Sequence, residues 1–285
     1  MQIPKNDPLY PLLLKTIPDP PEALNYLGNI GEKTFANCIG IVGTRNITPY
    51  GTNVVSRFVS DLSAYDCTLV SGLTRGVDTS VHEMCLKKSV KTVAILPFGL
   101  NYKVSIDTRR LINEITQNEG VVMSEYPDSF EPKKWSFVRR NRLIAGMSKA
   151  ILIVEAAEGS GSLLTADFAQ KYKRFVYVVP GNIFSPYSTG IYKLLFSYAK
   201  AVVSGHSLAK DLALPKNIDL YMRKNADFSE DSARILDALR IAPMSVTDLA
   251  TYLKVPLVTL SKTLMTLLSG DLVFLKEGTY YAKEN

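Results

Sequence analysis

AILIVEAAEGSGSLLTADFAQKY, residues 150–172, contains an apolar run, a glycine–serine turn and a helix-length segment in that order. The run from Ala150 to Val154 has no polar residue, as expected for a strand covered on both faces. Gly159 and Gly161 permit a tight turn, and apolar residues recur at helical spacing after it. A parallel strand followed by its crossover helix has this order. The stretch therefore predicts an α/β fold.

The same unit recurs along the chain. Six more short apolar runs occupy residues 38–43, 67–72, 92–97, 120–125, 175–181 and 201–205. Helix-length segments separate several of these runs, and this alternation predicts a doubly wound, mostly parallel sheet. Ligands bind such sheets beyond the carboxyl ends of the strands. Those ends are rich in Gly, Ser, Thr and Arg, so we expect the binding site there.

The pattern changes after Leu214. Residues 215–228 lack a clear core period, and we interpret them as a linker. Residues 229–285 contain three helix-like segments and an apolar hairpin, with a capping pair at Ser245 and Asp248. We therefore predict a first domain, residues 1–214, and a small winged-helix-like domain, residues 229–285.

Composition narrows the class of protein. The 285 residues are 46% hydrophobic, carry a net charge of +6 and include three scattered cysteines. The charge favours a polyanion such as nucleic acid, although solubility alone also produces basic proteins. The cysteines lack CxxC spacing, which argues against a disulfide framework and a zinc site. Prolines and charges interrupt residues 1–24, so no signal peptide is expected. We predict a cytoplasmic protein without a metal, a cofactor or a membrane partner.

The glycine–serine turn predicts an anion site. Successive backbone N–H groups in such a loop can point at one anion, and the dipole of the following helix adds partial positive charge. No lysine follows the glycines, and Leu164 stands where GxGxxG needs its third glycine. Neither a Walker A loop nor a standard dinucleotide site is therefore supported. A tight turn without a ligand is the alternative.

Arginines at neighbouring strand ends favour phosphate as the anion. VGTRN ends the first strand and SGLTRGVD the second, which places Arg45 and Arg75 at the edge that carries the glycine–serine turn. Arginine forms bidentate bonds to phosphate, so these loops predict a groove for a nucleic-acid backbone. For Arg75, an ion pair with Asp78 at a helix start is the alternative.

The stretch FVRRNRLIAG, residues 137–146, has three arginines and no carboxylate. We interpret it as the polar start of a helix whose apolar residues pack on the sheet. Its predicted ligand-binding side chains are Phe137, Arg139, Arg140, Asn141 and Arg142. Arginines bind phosphate in this hypothesis, and the phenyl ring stacks on a base. A solvated basic helix start, with Phe137 in the core, is the alternative.

Candidates for catalysis are few. His82 and His206 lack the partner spacing of a metal site or a nucleophile motif, and His82 is expected to make a structural hydrogen bond near Asp78. Glu155 at a strand end could act as a base, but we favour a role in orienting its neighbours. The sequence predicts no catalytic residue and no enzyme activity.

Several motifs together resemble the DNA-processing protein A family (DprA/Smf) of bacterial natural transformation. They are YPLLLKTIPDPPEAL, IVGTRNITPYG, VSGLTRGVDTSVH, GVVMSEYP, FVRRNRLIAGMS, VEAAEGSGSLLTADFA, VVPG and the final winged-helix-like segment. The resemblance covers nearly the whole chain, and its specific part is the order and spacing of the motifs. It implies a Rossmann-like domain that binds single-stranded DNA, forms a homodimer and helps to load the RecA recombinase onto incoming strands.

By this resemblance, four segments match the DNA-contact loops of the family. The matching residues are Gly43, Thr44, Arg45, Ser71, Gly72, Arg75, Gly76, Phe137, Arg140, Asn141, Arg142, Gly161, Ser162 and Thr165. Val138 stands where the family has proline, and residues 99–111 lack its Tyr-Pro pair. The resemblance implies DNA contacts at these positions and no catalysis.

The competing hypothesis is a nucleotide-binding hydrolase of the phosphoribohydrolase-like Rossmann group. The glycine–serine turn and Glu155 favour it, but the PGG-GT-x-x-E signature of that group is absent. The tail raises a separate question, because its third helix-like segment, residues 256–270, has Lys262 as its one basic residue. Helices that contact duplex bases usually carry more, so we expect this helix to contact protein.

Overall fold

The computed structural model describes residues 1–217, 230–269 and 272–283. The chain divides into two compact units, Met1–Leu214 and Pro215–Asn285. The predicted linker lies mostly outside the described residues, so its boundaries stay a prediction. Among the described residues, no helix is long and apolar enough to cross a membrane.

Nine strands form one sheet in the first unit. They are β1 (Gln2–Pro4), β2 (Ala23–Gly28), β3 (Cys38–Val42), β4 (Thr68–Ser71), β5 (Thr92–Ile95), β6 (Val121–Ser124), β7 (Ala150–Ile153), β8 (Phe175–Val178) and β9 (Lys200–Ala201). Their order in the sheet is β1-β2-β6-β5-β4-β3-β7-β8-β9. Neighbours from β6 to β9 pair in parallel, whereas the pairs β1–β2 and β2–β6 are antiparallel. The predicted doubly wound, mostly parallel sheet is confirmed.

Helices connect these strands on both faces of the sheet. They are α1 (Leu12–Lys15), α2 (Pro49–Leu62), α3 (Val77–Lys88), α4 (Ile106–Gln117), α5 (Lys134–Met147), α6 (Gly161–Lys171), α7 (Thr189–Leu195) and α8 (Gly205–Asp211), with a 3₁₀ turn at Pro186–Ser188. Strand β7 shows why the strand sequences are uniformly apolar. Ile151 and Ile153 pack into the core that contains α5 and α6, whereas Ala150 and Leu152 pack into the core that contains α2 and α3.

The strand order reverses between β3 and β7. After β3 the chain crosses over through α2 to β4 on one side, and β7 pairs with β3 on the other side. The helices that follow the two strands lie on opposite faces, because α2 contributes Val55 and Phe58 to one core and α6 contributes Ala166 and Ala169 to the other. The loops after β3 and β7 therefore diverge and leave a crevice, which is the usual ligand position in such folds.

The described part of the second unit contains three helices and a three-stranded sheet. Its elements are α9 (Glu230–Ile241), β10 (Met244–Ser245), α10 (Val246–Leu253), α11 (Leu257–Ser269), β11 (Val273–Lys276) and β12 (Thr279–Ala282). The strand order is β10-β12-β11, all antiparallel. Leu249, Leu260 and Leu264 are buried in its core. This arrangement confirms the predicted winged-helix-like fold.

The predicted capping pair and the predicted hairpin of the second unit are both present in the structure. The Ser245 hydroxyl accepts a hydrogen bond from the backbone N–H of Asp248 at 3.2 Å and so caps α10. Glu277 and Gly278 have φ values of 50° and 79° and form the turn between β11 and β12. A two-residue turn with both φ angles positive suits the twist of a hairpin.

Candidate nucleic-acid interface

A cleft of about 750 Å³ opens at the carboxyl ends of β3 and β7. The loops after these two strands and the first three turns of α5 line it, and we call it the switch-point cleft. Nine predicted site residues line it: Gly43, Thr44, Arg45, Phe137, Arg140, Asn141, Gly161, Ser162 and Thr165. The other six predicted residues are not part of the lining: Ser71, Gly72, Arg75, Gly76, Arg139 and Arg142.

Backbone hydrogen bonds join the loops that form the cleft. The N–H of Thr44 donates to the carbonyl oxygen of Glu155 at 2.7 Å, and the N–H of Val77 donates to the carbonyl oxygen of Thr44 at 3.1 Å. Gly76 has a φ of 99°, and a Cβ atom there would lie 2.3 Å from the Thr44 oxygen. Gly76 therefore permits a close approach between two loops and makes no direct contribution to the cleft surface.

One exposed charge in the cleft is stacked on an aromatic ring. The guanidinium carbon of Arg45 lies 5.3 Å from the centre of the Phe137 ring, within cation–π distance. Phe137 is half-buried and Arg45 is exposed. Within the described residues, no carboxylate forms an ion pair with Arg45. An exposed, unpaired guanidinium beside an accessible ring suits a ligand with both phosphate and a planar base.

Arg140 was expected to bind phosphate, but it is almost fully buried, with 3% of its surface exposed. Its Nη1 donates to the carbonyl oxygen of Ile95 at 2.5 Å, and its Nη2 lies 3.8 Å from Oδ2 of Asp78, which is itself buried. Burial lowers the pKa of Arg140, and the nearby carboxylate of Asp78 opposes that shift. Arg140 therefore holds the floor of the cleft to β5 and α3.

The three arginines that were expected to bind phosphate together lie apart in the structure. Arg142 is buried and pairs with Glu125 and with Asp19, the latter at 3.1 Å, while Nε of Arg139 lies 3.5 Å from Oε1 of Glu125. Both arginines line a separate cavity of about 680 Å³. Helical geometry is the reason, since positions 139 and 142 lie roughly 140–200° around α5 from Phe137.

The start of α5 also differs from the expectation. The helix begins at Lys134, so FVRRNR starts one turn inside it. The Ser136 hydroxyl accepts a hydrogen bond from the backbone N–H of Lys133 at 3.0 Å and fixes this earlier start. Lys133 and Lys134 consequently join the cleft lining, together with Asn46 and Thr74. The two consecutive lysines in EPKKWS, residues 131–136, are the sequence signal that indicates this basic lining.

The loop after β4 supports the cleft from behind. The Ser71 hydroxyl donates to the carbonyl oxygen of Ile41 at 2.6 Å and is fully buried. A Cβ atom on Gly72 would lie 2.0 Å from Nη1 of Arg140 and 2.2 Å from Oδ2 of Asp78. Arg75 donates to the side-chain oxygen of Asn46 at 2.7 Å, so the alternative of an Arg75–Asp78 ion pair is wrong.

The glycine–serine turn forms the opposite wall. Gly159 has a φ of 75°, and the Ser160 hydroxyl lies 2.8 Å from that of Ser162 at the start of α6. The amide of Asn141 donates to the carbonyl oxygen of Gly161 at 3.2 Å and joins this wall to α5. Thr165 is buried one turn further along α6. The turn thus places hydroxyl groups and the N-terminus of an 11-residue helix beside the Arg45–Phe137 pair.

Glu155 has the orienting role favoured by the sequence analysis. Its carboxylate accepts hydrogen bonds from the backbone N–H of Thr48 at 3.1 Å and from the Thr48 hydroxyl at 2.6 Å. It is 5% exposed and lies at the N-terminus of α2, where the helix dipole stabilises a negative charge. A carboxylate held this way is poorly placed to act as the base of a hydrolase.

Comparison with known proteins identifies the family. Residues 2–213 match the family model described as DNA recombination-mediator protein A. This chain belongs to that family. The DNA processing protein DprA of Bacillus subtilis is 35% identical over 210 residues, which are 74% of this chain and 70% of that protein. Its counterpart in Streptococcus pneumoniae is 35% identical over 202 residues, 71% of each chain. The resemblance found in the motifs is confirmed.

Solved structures of the family share the fold. DprA from Streptococcus pneumoniae superposes with a TM-score of 0.69 at 32% identity, covering 74% of this chain and 73% of that chain. DNA processing protein A from Helicobacter pylori, whose structure was described for its single-stranded DNA binding mode, gives a TM-score of 0.66 at 29% identity. That match covers 75% of this chain and 96% of the Helicobacter chain.

His82 lies behind the loop after β4, the segment that contains Gly72 and Gly76. It is fully buried, with Nε2 2.7 Å from the carbonyl oxygen of Gly72 and Nδ1 2.8 Å from the Thr92 hydroxyl. A structural hydrogen bond was expected, but its partners are Gly72 and Thr92 instead of Asp78. Burial lowers the pKa of His82 to about 4.

We expect the stability of the first unit to fall as the pH drops. Unfolded His82 binds a proton near pH 6.5, whereas the folded residue stays neutral until about pH 4. Between these values the unfolded state binds more protons, so the free energy of unfolding falls by up to about 1.4 kcal/mol per pH unit. Urea unfolding at several pH values measures this slope. His82→Gln should make the free energy of unfolding depend less steeply on pH. An unchanged slope in the variant would show that His82 does not cause the pH dependence.

Proposed function

We propose that this chain binds single-stranded DNA in the switch-point cleft and acts as a recombination mediator in natural transformation. The Arg45–Phe137 pair carries the proposal, because it offers an exposed cation and an aromatic face at one place. A base stacks on the ring while Arg45 and the backbone N–H groups of Gly159 and Gly161 bind phosphates. The single-stranded DNA binding described for the Helicobacter relative supports this function.

The position of Phe137 favours single strands over duplex. The ring is half-buried inside the cleft, so a base must leave its helical stack to reach it. Bases of a single strand do so at low cost, whereas a duplex base must first lose its pairing and stacking. In this proposal the cleft residues bind the faces of bases and the phosphates, which every nucleotide has, so we expect little sequence preference.

We further propose that the chain functions in the cytoplasm as a homodimer that loads RecA onto incoming strands, and that it is not an enzyme. The family description as a recombination mediator supports the RecA role. The engagement of Glu155 with Thr48 supports the absence of a hydrolase reaction, because the candidate base already accepts two hydrogen bonds.

A recombinase assay tests the mediator role. Single-stranded DNA is first covered with single-strand-binding protein, and RecA assembly is followed by its DNA-dependent ATP hydrolysis. We expect this chain to shorten the lag before hydrolysis. With an Arg45→Ala, Phe137→Ala double variant, we expect the lag to be as long as in the reaction without this chain. If the wild-type chain binds single strands but has no effect on the lag, the mediator role is wrong and DNA binding remains.

A further inference from the structure

A second aromatic surface lies close to the switch-point cleft. Trp135, the only tryptophan of the chain, is in the first turn of α5 and is 53% exposed. Its ring meets those of Phe130 and Tyr126 edge-on, with centroid distances of 5.8 and 6.0 Å. Phe130 and Tyr126 stack on each other at 4.3 Å. The indole is thus supported by two rings while half of its surface faces solvent.

The position of Trp135 on the helix relates it to the cleft. It precedes Phe137 by two residues, so the two rings point roughly 200° apart around α5. Lys133 and Lys134 are exposed, line the cleft and stand at the end of the helix between the two sides. Val138, 42% exposed, also lines the cleft and lies one turn after Trp135. The surface is therefore continuous from the cleft to the indole.

The charges on this path suit a phosphate backbone. No ion pair involves Lys134 within the described residues, and Lys133 shares a 3.8 Å pair with the exposed Glu131. Such an exposed pair is weak and its lysine remains available to a phosphate. Glu125, which precedes Tyr126 in the chain, is already paired with Arg139 and Arg142.

We propose that the Tyr126–Phe130–Trp135 cluster is a second stacking platform, which binds an unpaired base of the DNA strand where the strand leaves the switch-point cleft. This inference rests on the proposed function. The strand crosses the N-terminal end of α5, with Lys133 and Lys134 binding the intervening phosphates. A helix is about 10–12 Å across with its side chains, and stacked nucleotides follow at about 3.4 Å, so the second base lies on the order of three nucleotides from the first.

Trp135 allows a direct test, because all tryptophan fluorescence comes from it. We expect saturating oligothymidylate to quench this fluorescence when the strand is long enough to reach both platforms, and to leave it unchanged when the strand fills the cleft alone. With long labelled strands, Trp135→Leu should weaken binding about five- to tenfold, whereas Trp135→Phe, which keeps a ring, should stay within about twofold. With the shorter strands both variants should bind like the wild type.

The outcomes separate this platform from the cleft. Tight binding of long strands with unchanged fluorescence, or equal affinities for the leucine variant and the wild type, would overturn the platform and leave the cleft in place. Equal losses in the leucine and phenylalanine variants would also overturn it, because stacking tolerates another ring; thermal melting shows whether both variants are folded. If the wild-type chain binds no single strand of any length, the proposed function fails and the platform fails with it.

Discussion

Arg140→Ala is expected to lower the free energy of unfolding of the first unit by about 3–5 kcal/mol, the usual cost of removing one partner of a buried ion pair. Arg140 and Asp78 are both at most 5% exposed, so the substitution leaves the Asp78 carboxylate buried without its cation. It also removes the donor to the carbonyl oxygen of Ile95. Denaturant unfolding of both proteins measures the difference.

Arg139→Ala is the matched control for this prediction. Arg139 precedes Arg140 on α5, but its side chain is 55% exposed and its contact with Glu125 is 3.5 Å. We expect a loss of about 1 kcal/mol or less. Equal stabilities of the two variants would contradict the structural role of Arg140. Because Arg140→Ala weakens the fold, a loss of DNA binding in this variant is informative only under conditions where it is folded.

Arg45→Ala is expected to weaken the binding of single-stranded DNA about tenfold or more, to a similar extent for all base sequences. The substitution removes a charge-assisted phosphate contact and the cation on the Phe137 ring. Phe137→Ala should cost about 1–3 kcal/mol for the stacked base. Labelled oligonucleotides titrated with each variant give both values.

Salt dependence distinguishes the two variants. Loss of one phosphate contact should make the slope of log K against log salt shallower by about 0.7 in Arg45→Ala, whereas Phe137→Ala should keep the wild-type slope. Arg57→Ala supplies a control, since Arg57 is an exposed arginine of α2 that does not line the cleft. If Arg57→Ala and Arg45→Ala weaken binding equally, net charge explains the effect and the cleft does not.

The parallel strands were predictable because both of their faces are buried. β7 has no position where a polar residue is tolerated, so its sequence is apolar throughout. The antiparallel strands β1 and β2 were missed, since most of their residues are only partly buried and their sequence pattern is weaker. Helix α4 was missed because Ile106 in its first turn is 88% exposed, which obscures the apolar face formed by Leu111 and Ile115.

The sequence predicted which loops form the candidate site, but it predicted the positions of only some of its side chains. Residues at strand ends are brought together by the strand order, so Arg45 and the glycine–serine turn were placed at one edge without knowledge of any contact. The Arg45–Phe137 stack joins the loop after β3 to helix α5, which are distant in sequence, and no local pattern encodes it. The burial of Arg140 and the divergence of Arg139 and Arg142 follow from the rotation of α5, which depends on its start at Lys134.

The most direct test of this account is a titration of the wild-type chain with a labelled single strand and with duplex of the same sequence, at several salt concentrations. We expect tighter binding of the single strand, with a slope of log K against log salt of about −0.7 for each phosphate contact. Equal affinity for strand and duplex, or no binding of either, would contradict a single-strand interface in the switch-point cleft.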